Sequence, residues 1–218
     1  MDYWFLGKCF LVGLSASCTV GPIFILTFNN SALHGFLKGL FTALGAAIGD
    51  GILLFLGLMG ALGILHEFDY SRLIIDLAGG ILLVVFGIVM IMQRNKFLSD
   101  VKVRQSADTL LLTLAKSLIS TILNPLTLIF FMFIGSQLMP HTQEFFTRSQ
   151  MMMGSLMTTL GSLVVLSAIA YAASRLHTVI TPKKLAFISL ITAGILIFIG
   201  AYFVGDAVKI LQTLHAGI

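Results

Sequence analysis

The residue best suited to chemistry in this sequence is an acid inside a long apolar run. Asp50 follows a stretch of apolar and small residues that begins at Gly39. In a helix, Asp50 would lie about 16 Å from Gly39, near the middle of a bilayer about 30 Å thick. An aspartate there costs roughly 2.5–3.5 kcal/mol on insertion scales, so we expect it to face the protein interior or water. Such a carboxyl group can bind a cation or a proton, and the structural alternative is a protonated, hydrogen-bonded aspartate.

Two prolines interrupt other apolar runs of the chain. Pro22 follows Gly21, and Pro125 follows Asn124. Proline removes a backbone donor and clashes with the preceding turn, and lipid cannot satisfy the carbonyl that is freed. A half-helix that begins at either proline would direct its positive end at the break, which suits a carboxylate. The alternative is a simple kink at each proline.

Polar side chains accumulate before both prolines. Thr19 lies one turn before Pro22, and the spacing i, i+3, i+4, i+7 gives one helical face to Ser117, Ser120, Thr121 and Asn124. Their hydroxyls can instead bond to carbonyls of their own helix. We predict no catalytic or metal-ligating residue, and the predicted substrate- or ion-binding residues are Thr19, Gly21, Pro22, Asp50, Ser120, Thr121, Asn124 and Pro125.

Glycine in this chain is better explained by helix packing than by chemistry. Small residues let the backbones of membrane helices approach closely. Asp50 shares a helical face with Gly39, Ala43 and Ala46, which favours a buried position for its carboxylate. The glycines that we predict at helix contacts are Gly39, Gly45, Gly49, Gly154 and Gly161.

The composition explains why such residues are conspicuous. The chain has 218 residues, of which 58% are hydrophobic and 10% charged, and its mean hydropathy is +1.03. Soluble domains carry about 25% charged residues, so we expect lipid to be the solvent. The net charge of +4 does not indicate nucleic acid as a partner, because the basic residues lie in short loops between apolar runs.

Six apolar runs are long enough to span a bilayer, which requires roughly 20 residues. They cover residues 9–28, 39–65, 73–92, 117–139, 151–174 and 185–205. Residues 109–115 are also apolar, so the start of the fourth helix stays open. The fold class that we predict is an all-α integral membrane protein with six transmembrane helices.

Loop charge predicts the orientation of these spans. One side of the membrane collects nine of the thirteen basic residues: Lys38, Arg94, Lys96, Lys102, Arg104, Lys116, Arg175, Lys183 and Lys184. The positive-inside rule puts this side in the cytoplasm and both termini outside.

The halves of the chain are similar in their arrangement. Residues 1–108 and 109–218 each contain three predicted spans, and an odd number inverts the second half relative to the first. The first proline of each half falls in the first span, and residues 78–82 (AGGIL) are similar to residues 192–196 (TAGIL). We therefore predict a 3+3 inverted-topology repeat within one membrane domain.

The order of these motifs resembles the LysE/RhtB family of bacterial amino-acid exporters. The resemblance rests on Gly21-Pro22, on the glycine-rich helix with Gly49-Asp50, on the basic linker and on Asn124-Pro125. It implies proton-driven export of amino acids or related metabolites across the inner membrane. Many members of the family have lysine after the Asn-Pro pair, whereas this chain has Leu126, which leaves the substrate class and the coupling open.

The leading hypothesis is therefore a proton-coupled exporter of small zwitterions, and not an enzyme. We expect no cofactor beyond a coupling proton. The expected partners are the lipid bilayer and a small-molecule substrate, and a homo-oligomer stays open. A divalent metal-ion exporter is the alternative, although only one deep acid is available as a ligand. An intramembrane enzyme would need a second deep carboxylate, and a membrane assembly factor would leave Asp50 without a purpose.

Overall fold

A computed structural model describes residues 3–19, 21–67, 71–99, 108–138, 146–176 and 182–216. These ranges are helical except for short connections, and they contain no strand. Their eight helices are α1 (Tyr3–Cys18), α2 (Pro22–His34), α3 (Phe36–Glu67), α4 (Ser71–Ser99), α5 (Leu110–Ile122), α6 (Pro125–Leu138), α7 (Arg148–Leu176) and α8 (Pro182–Ala216).

Length and composition identify two to four membrane spans in the described part of the chain. Phe36–Gly60 in α3 and Arg148–Arg175 in α7 are each long and apolar enough to cross a bilayer alone. The pairs α1–α2 and α5–α6 pass the same test only if each pair is counted as one bent span. Within α4, the apolar part Leu77–Val89 is shorter than a span. The predicted membrane class therefore fits the structure, while length and composition support fewer than six spans.

Local sequence explains where two of the helices begin and end. α2 ends at His34 because Gly35 has a φ of +88°, a conformation that side chains disfavour. α5 begins at Leu110, because the side chain of Thr109 caps the helix and accepts a hydrogen bond from the Leu112 amide at 3.4 Å. The fourth predicted helix thus starts in the apolar segment 109–115 that precedes the predicted run at residue 117.

The two long helices α3 and α7 lie at the centre of the packing. They contact each other, α1 packs against α7, and α5 packs against α3. The half-helices differ, since α2 contacts α3 and α7 while α6 contacts α3 and α4. α4 packs mainly against α8. Exchanging α1 with α5, α3 with α7 and α4 with α8 therefore leaves the main contacts unchanged.

Buried glycines allow these helices to approach closely. A Cβ atom on Gly45 would lie 3.0 Å from the carbonyl carbon of Leu114 in α5, and one on Gly161 would lie 3.0 Å from the amide of Leu14 in α1. Gly154 lies against Phe5 and Cys9 of α1. Gly39 lies against Ser31 of α2, and Gly49 lies against Thr121 of α5. All five glycines that the sequence singles out are at contacts between helices.

The crossing of α4 and α8 is equally close, but its register differs from the sequence similarity of the two helices. A Cβ on Gly80 would lie 2.8 Å from the carbonyl oxygen of Gly200, and one on Gly200 would lie 2.6 Å from that of Gly80. Gly194, which the similarity of residues 78–82 to 192–196 pairs with Gly80, has no atom within 4 Å of a Cβ built on it. The similarity of the two sequences reflects the residue types that are common in membrane helices. Which glycines are in contact depends instead on where the two helices cross.

The outer surface of the described helices carries many large apolar side chains. Phe198 and Tyr202 of α8 are 76% and 66% exposed, and Leu111 of α5 is 73% exposed. Water would not tolerate such a surface around the whole molecule, whereas lipid solvates it. Among the described residues, the buried interior of the bundle contains hydroxyl side chains, one acid, Asp50, and one lysine, Lys38.

Candidate functional site

The first helix break lies between α1 and α2. Thr19 ends α1 by donating its hydroxyl to the Ala16 carbonyl at 2.6 Å. Gly21 is extended, with φ −112° and ψ −171°, and its carbonyl accepts the first hydrogen bond of α2 from Ile25. Pro22 occupies the first turn of α2, where its missing N–H costs nothing. The chain bends by 70° here, so α2 begins inside the protein with the amides of its first turn unused by the helix.

The second break, between α5 and α6, is built from different residues. Leu123 closes α5 with a hydrogen bond to Ile119, and the Asn124 amide donates to the Thr121 carbonyl at 3.2 Å. The Asn124 carbonyl then accepts from Leu128, and α6 begins at Pro125. The bend is 64°. Each break therefore starts a second half-helix with a proline at its first position.

Both breaks open onto one cavity that also contains Asp50. The centres of water molecules can occupy about 70 Å³ of the cavity. One water molecule needs about 10–15 Å³ of such space, so the cavity is large enough for about five waters or a small metabolite. Its lining consists of Ala16, Ser17, Thr19, Gly21, Pro22, Ile23, Phe24, Asp50, Phe86, Thr121, Asn124, Thr127, Phe130, Phe131, Leu166 and Leu196.

Two serines from different helices donate hydrogen bonds to the Asp50 carboxylate. Ser162 of α7 donates its hydroxyl to Oδ2 at 2.7 Å, and Ser17 of α1 donates to the same oxygen at 3.5 Å. The Ser162 hydroxyl is also 3.2 Å from the Gly13 carbonyl, and its single proton serves one acceptor at a time. Within the described part of the chain, neither hydrogen bond involves Oδ1. Asp50 is 7% exposed, and the cavity is the space that it lines.

Glycines on either side of Asp50 bring its neighbours close. A Cβ on Gly49 would lie 2.8 Å from the Cβ of Thr121 in α5. One on Gly51 would lie 3.0 Å from the Ser155 carbonyl oxygen in α7. α5 and α7 therefore contact α3 on the two sides of the carboxylate, and Thr121 comes to line the cavity.

Six of the eight predicted binding residues line this cavity, and they are Thr19, Gly21, Pro22, Asp50, Thr121 and Asn124. Ser120 does not, because its side chain is exposed on the outside of α5. Successive residues are about 100° apart around a helix, so Ser120 points in a different direction from Thr121. Its i+3 spacing from Ser117 places it at the edge of the polar face. The side chain of Pro125 lies outside what the structure describes, as does that of Leu126.

The sequence interpretation missed several residues of the site. Ser17 and Ser162 contact Asp50, Thr127 lies in the first turn of α6, and four phenylalanines complete the walls. The sequence contains a signal for Ser162, because Ser155, Thr158 and Ser162 repeat at helical spacing. In the structure all three are buried. Thr158 in turn donates to the Cys9 carbonyl at 2.8 Å. The same hydroxyl pattern that marks α5 thus also marks α7.

Asp50 is the one charged group among the described residues that line the cavity. Among the described lining residues, Asp50 is the single acid, and there is no lysine, arginine or histidine. Lys38, which the sequence puts at a helix end, is also buried, at 7% exposure, but it does not line the cavity. Within the ranges that the structure covers, no group of three or more His, Cys, Asp or Glu residues could hold a metal ion.

Comparison with known proteins gives one match. The model of the LysE type translocator family matches residues 14–207, a range that includes both helix breaks and Asp50. No curated protein and no solved structure matches the chain.

Proposed function

This chain belongs to the LysE type translocator family, and on that basis we propose that it exports amino acids or related small zwitterions in exchange for protons. The family makes it a multi-pass membrane transporter. The substrate, the coupling ion and the role of Asp50 are our proposals. The observation that carries them is a buried carboxylate in a cavity between two broken helices.

A zwitterion matches the two kinds of polar group in the cavity. Asp50 supplies a negative charge for an ammonium group, and Oδ1 is left for it because both serines donate to Oδ2. The first turns of α2 and α6 supply amides and the positive ends of two helix dipoles, which suit a carboxylate. Thr121 of α5 and Thr127 of α6 add hydroxyls to the lining of the cavity.

Competition for Asp50 gives a physical basis for exchange. One carboxylate oxygen cannot hold a proton and an ammonium group at the same time. If the substrate displaces the proton on one side of the membrane, and the proton displaces the substrate on the other, export is coupled to proton entry. Differential affinity of the two ligands for the two states is what such coupling requires.

The membrane arrangement that we propose has six spans. α1–α2 and α5–α6 each act as one broken span, and α3, α4, α7 and α8 are the other four. The exchange of α1 with α5, α3 with α7 and α4 with α8 among the helix contacts supports a 3+3 inverted repeat of residues 1–108 and 109–218. The basic side then faces the cytoplasm of a bacterial cell, and both termini lie outside the inner membrane.

An accumulation assay in a bacterial host tests this proposal. Cells that express the chain or its Asp50→Asn variant are loaded with amino acids through dipeptides, and intracellular amino acids are measured over time. Expression of the native chain should lower their level, and Asp50→Asn should not. Asp206→Asn, an acid on the exposed face of α8, is the matched control and should act as the native chain.

Two outcomes would refute the proposal. Protection against divalent metal salts, without any effect on amino acids or dipeptides, would make the protein a metal exporter. Amino-acid levels that are unaffected by expression of a folded, membrane-inserted chain would refute export of this substrate class.

A further inference from the structure

The cavity has apolar as well as polar lining residues. Part of its apolar lining, called here the apolar wall, is formed by Phe86 of α4, Leu196 of α8, and Phe130 and Phe131 of α6. Phe131 is fully buried, whereas Phe86 and Phe130 are half-buried. None of these four side chains can pair with a charge or form a hydrogen bond.

A second, smaller pocket lies directly behind this apolar wall. It is lined by Gly79, Leu82, Leu83, Phe86, Ile129, Phe130 and Phe133. The centres of water molecules can occupy about 10 Å³ of this pocket, so it holds no more than one water. Phe86 and Phe130 line both spaces, so these two residues form the partition between them.

From this arrangement we infer that the exported zwitterion carries an apolar side chain, which lies against Phe86 and Phe130. The inference rests on the proposed function and names the substrate class. A substrate such as lysine would need a second acid for its side chain, and glutamate would need a base. Neither is present among the described lining residues. A charged side chain would lose its water without gaining an opposite charge, a cost that an apolar side chain does not incur.

The partition also sets the size of the side chain. While Phe86 is in place, the pocket behind it is too small for more than a methyl group. Removing the Phe86 ring would join the two spaces, and a bulkier side chain would then fit. A single methylene in an apolar pocket changes specificity by roughly 10–200-fold, so the effect of a whole ring is measurable.

Initial rates of uptake into proteoliposomes, measured separately for labelled leucine, phenylalanine, serine, lysine and glutamate, test the inference. The native full-length chain should have kcat/KM at least about tenfold higher for leucine than for serine, lysine or glutamate. Phe86→Ala should raise the phenylalanine-to-leucine ratio about tenfold, and Phe86→Trp should lower it. Phe198→Ala, which removes an exposed ring of the same type on α8, should leave the ratio unchanged. Phe86→Leu provides a milder change if Phe86→Ala does not fold.

The outcomes separate the inference from the proposed function. Export of serine, lysine or glutamate at the leucine rate, or equal changes for all substrates in the Phe86 variants, would refute the apolar class while leaving amino-acid export intact. A folded protein that transports none of these amino acids would refute export itself.

Discussion

Replacement of Ser162 by alanine should impair transport without unfolding the protein. Ser162 Oγ is 2.7 Å from Asp50 Oδ2, whereas Ser17 Oγ is 3.5 Å from the same atom, at the limit for a hydrogen bond. A hydrogen bond to a charged group contributes about 1.5–3 kcal/mol. Because 1.4 kcal/mol corresponds to a factor of about ten, Ser162→Ala should lower kcat/KM by at least about tenfold. Ser17→Ala should lower it by less than about threefold, since its bond is long.

The assay is the initial rate of amino-acid uptake into proteoliposomes at several substrate concentrations, with thermal unfolding of each purified variant measured in parallel. The matched control is Ser174→Ala on the same helix, because the hydrogen bond that Ser174 donates to the Tyr171 carbonyl stays within α7. A purely structural role of Ser162, through its contact with the Gly13 carbonyl, would lower the unfolding temperature and leave kcat/KM unchanged. Transport by Ser162→Ala at the native rate, or an equal loss in Ser17→Ala, would refute the geometric argument.

Three further predictions concern packing, surface charge and proton exchange. Gly45→Ala should destabilise the protein by about 1–3 kcal/mol, because the new methyl group would meet the Leu114 backbone. Gly194→Ala is the control, since no atom lies within 4 Å of the new methyl group, and it should be neutral or slightly stabilising in thermal unfolding. Lys116→Ala should change the unfolding free energy by less than about 1 kcal/mol, because its ion pair with Asp108 at 2.7 Å is exposed; a larger loss would mean that the pair is structural. Substrate binding to the detergent-solubilised protein should release about one proton in a weakly buffered dye assay and should weaken as pH falls; binding without proton release would contradict competition at Asp50.

Much of the site could be predicted because membrane burial makes polar residues costly. Asp50 is conspicuous in an apolar run, and the prolines after Gly21 and Asn124 mark the starts of α2 and α6. These features depend on residue type and on position along one helix. They require no knowledge of how the helices are arranged.

The remainder depends on which helices meet, and single-helix patterns do not contain this information. Ser162 is 112 residues from Asp50 in the chain. Phe86 and Phe130, which line both the cavity and the smaller pocket, come from two different helices, α4 and α6. Apolar residues such as Phe86 and Phe130 are expected on every face of a membrane helix, so nothing in the sequence distinguishes a cavity wall from a lipid contact. The position of Ser120 outside the cavity lining has the same origin, because the neighbours of α5 determine which of its polar side chains are buried.

The sequence also does not predict which residues of α4 and α8 contact each other. The similarity of residues 78–82 to 192–196 pairs Gly80 with Gly194, whereas Gly80 meets Gly200 at the crossing. The two half-helices also differ in their packing, since α6 packs against α4 and α2 has no comparable contact with α8 among the described residues.

The most direct test of a proton-exchanging carboxylate is transport driven by a pH gradient in proteoliposomes of the native chain, Asp50→Asn and Asp206→Asn. An imposed proton gradient should drive amino-acid movement opposite to the proton flux in the native chain and in Asp206→Asn, and the gradient should have no effect on Asp50→Asn. Transport by folded Asp50→Asn at the native rate, with the native dependence on pH, would contradict the central role of Asp50.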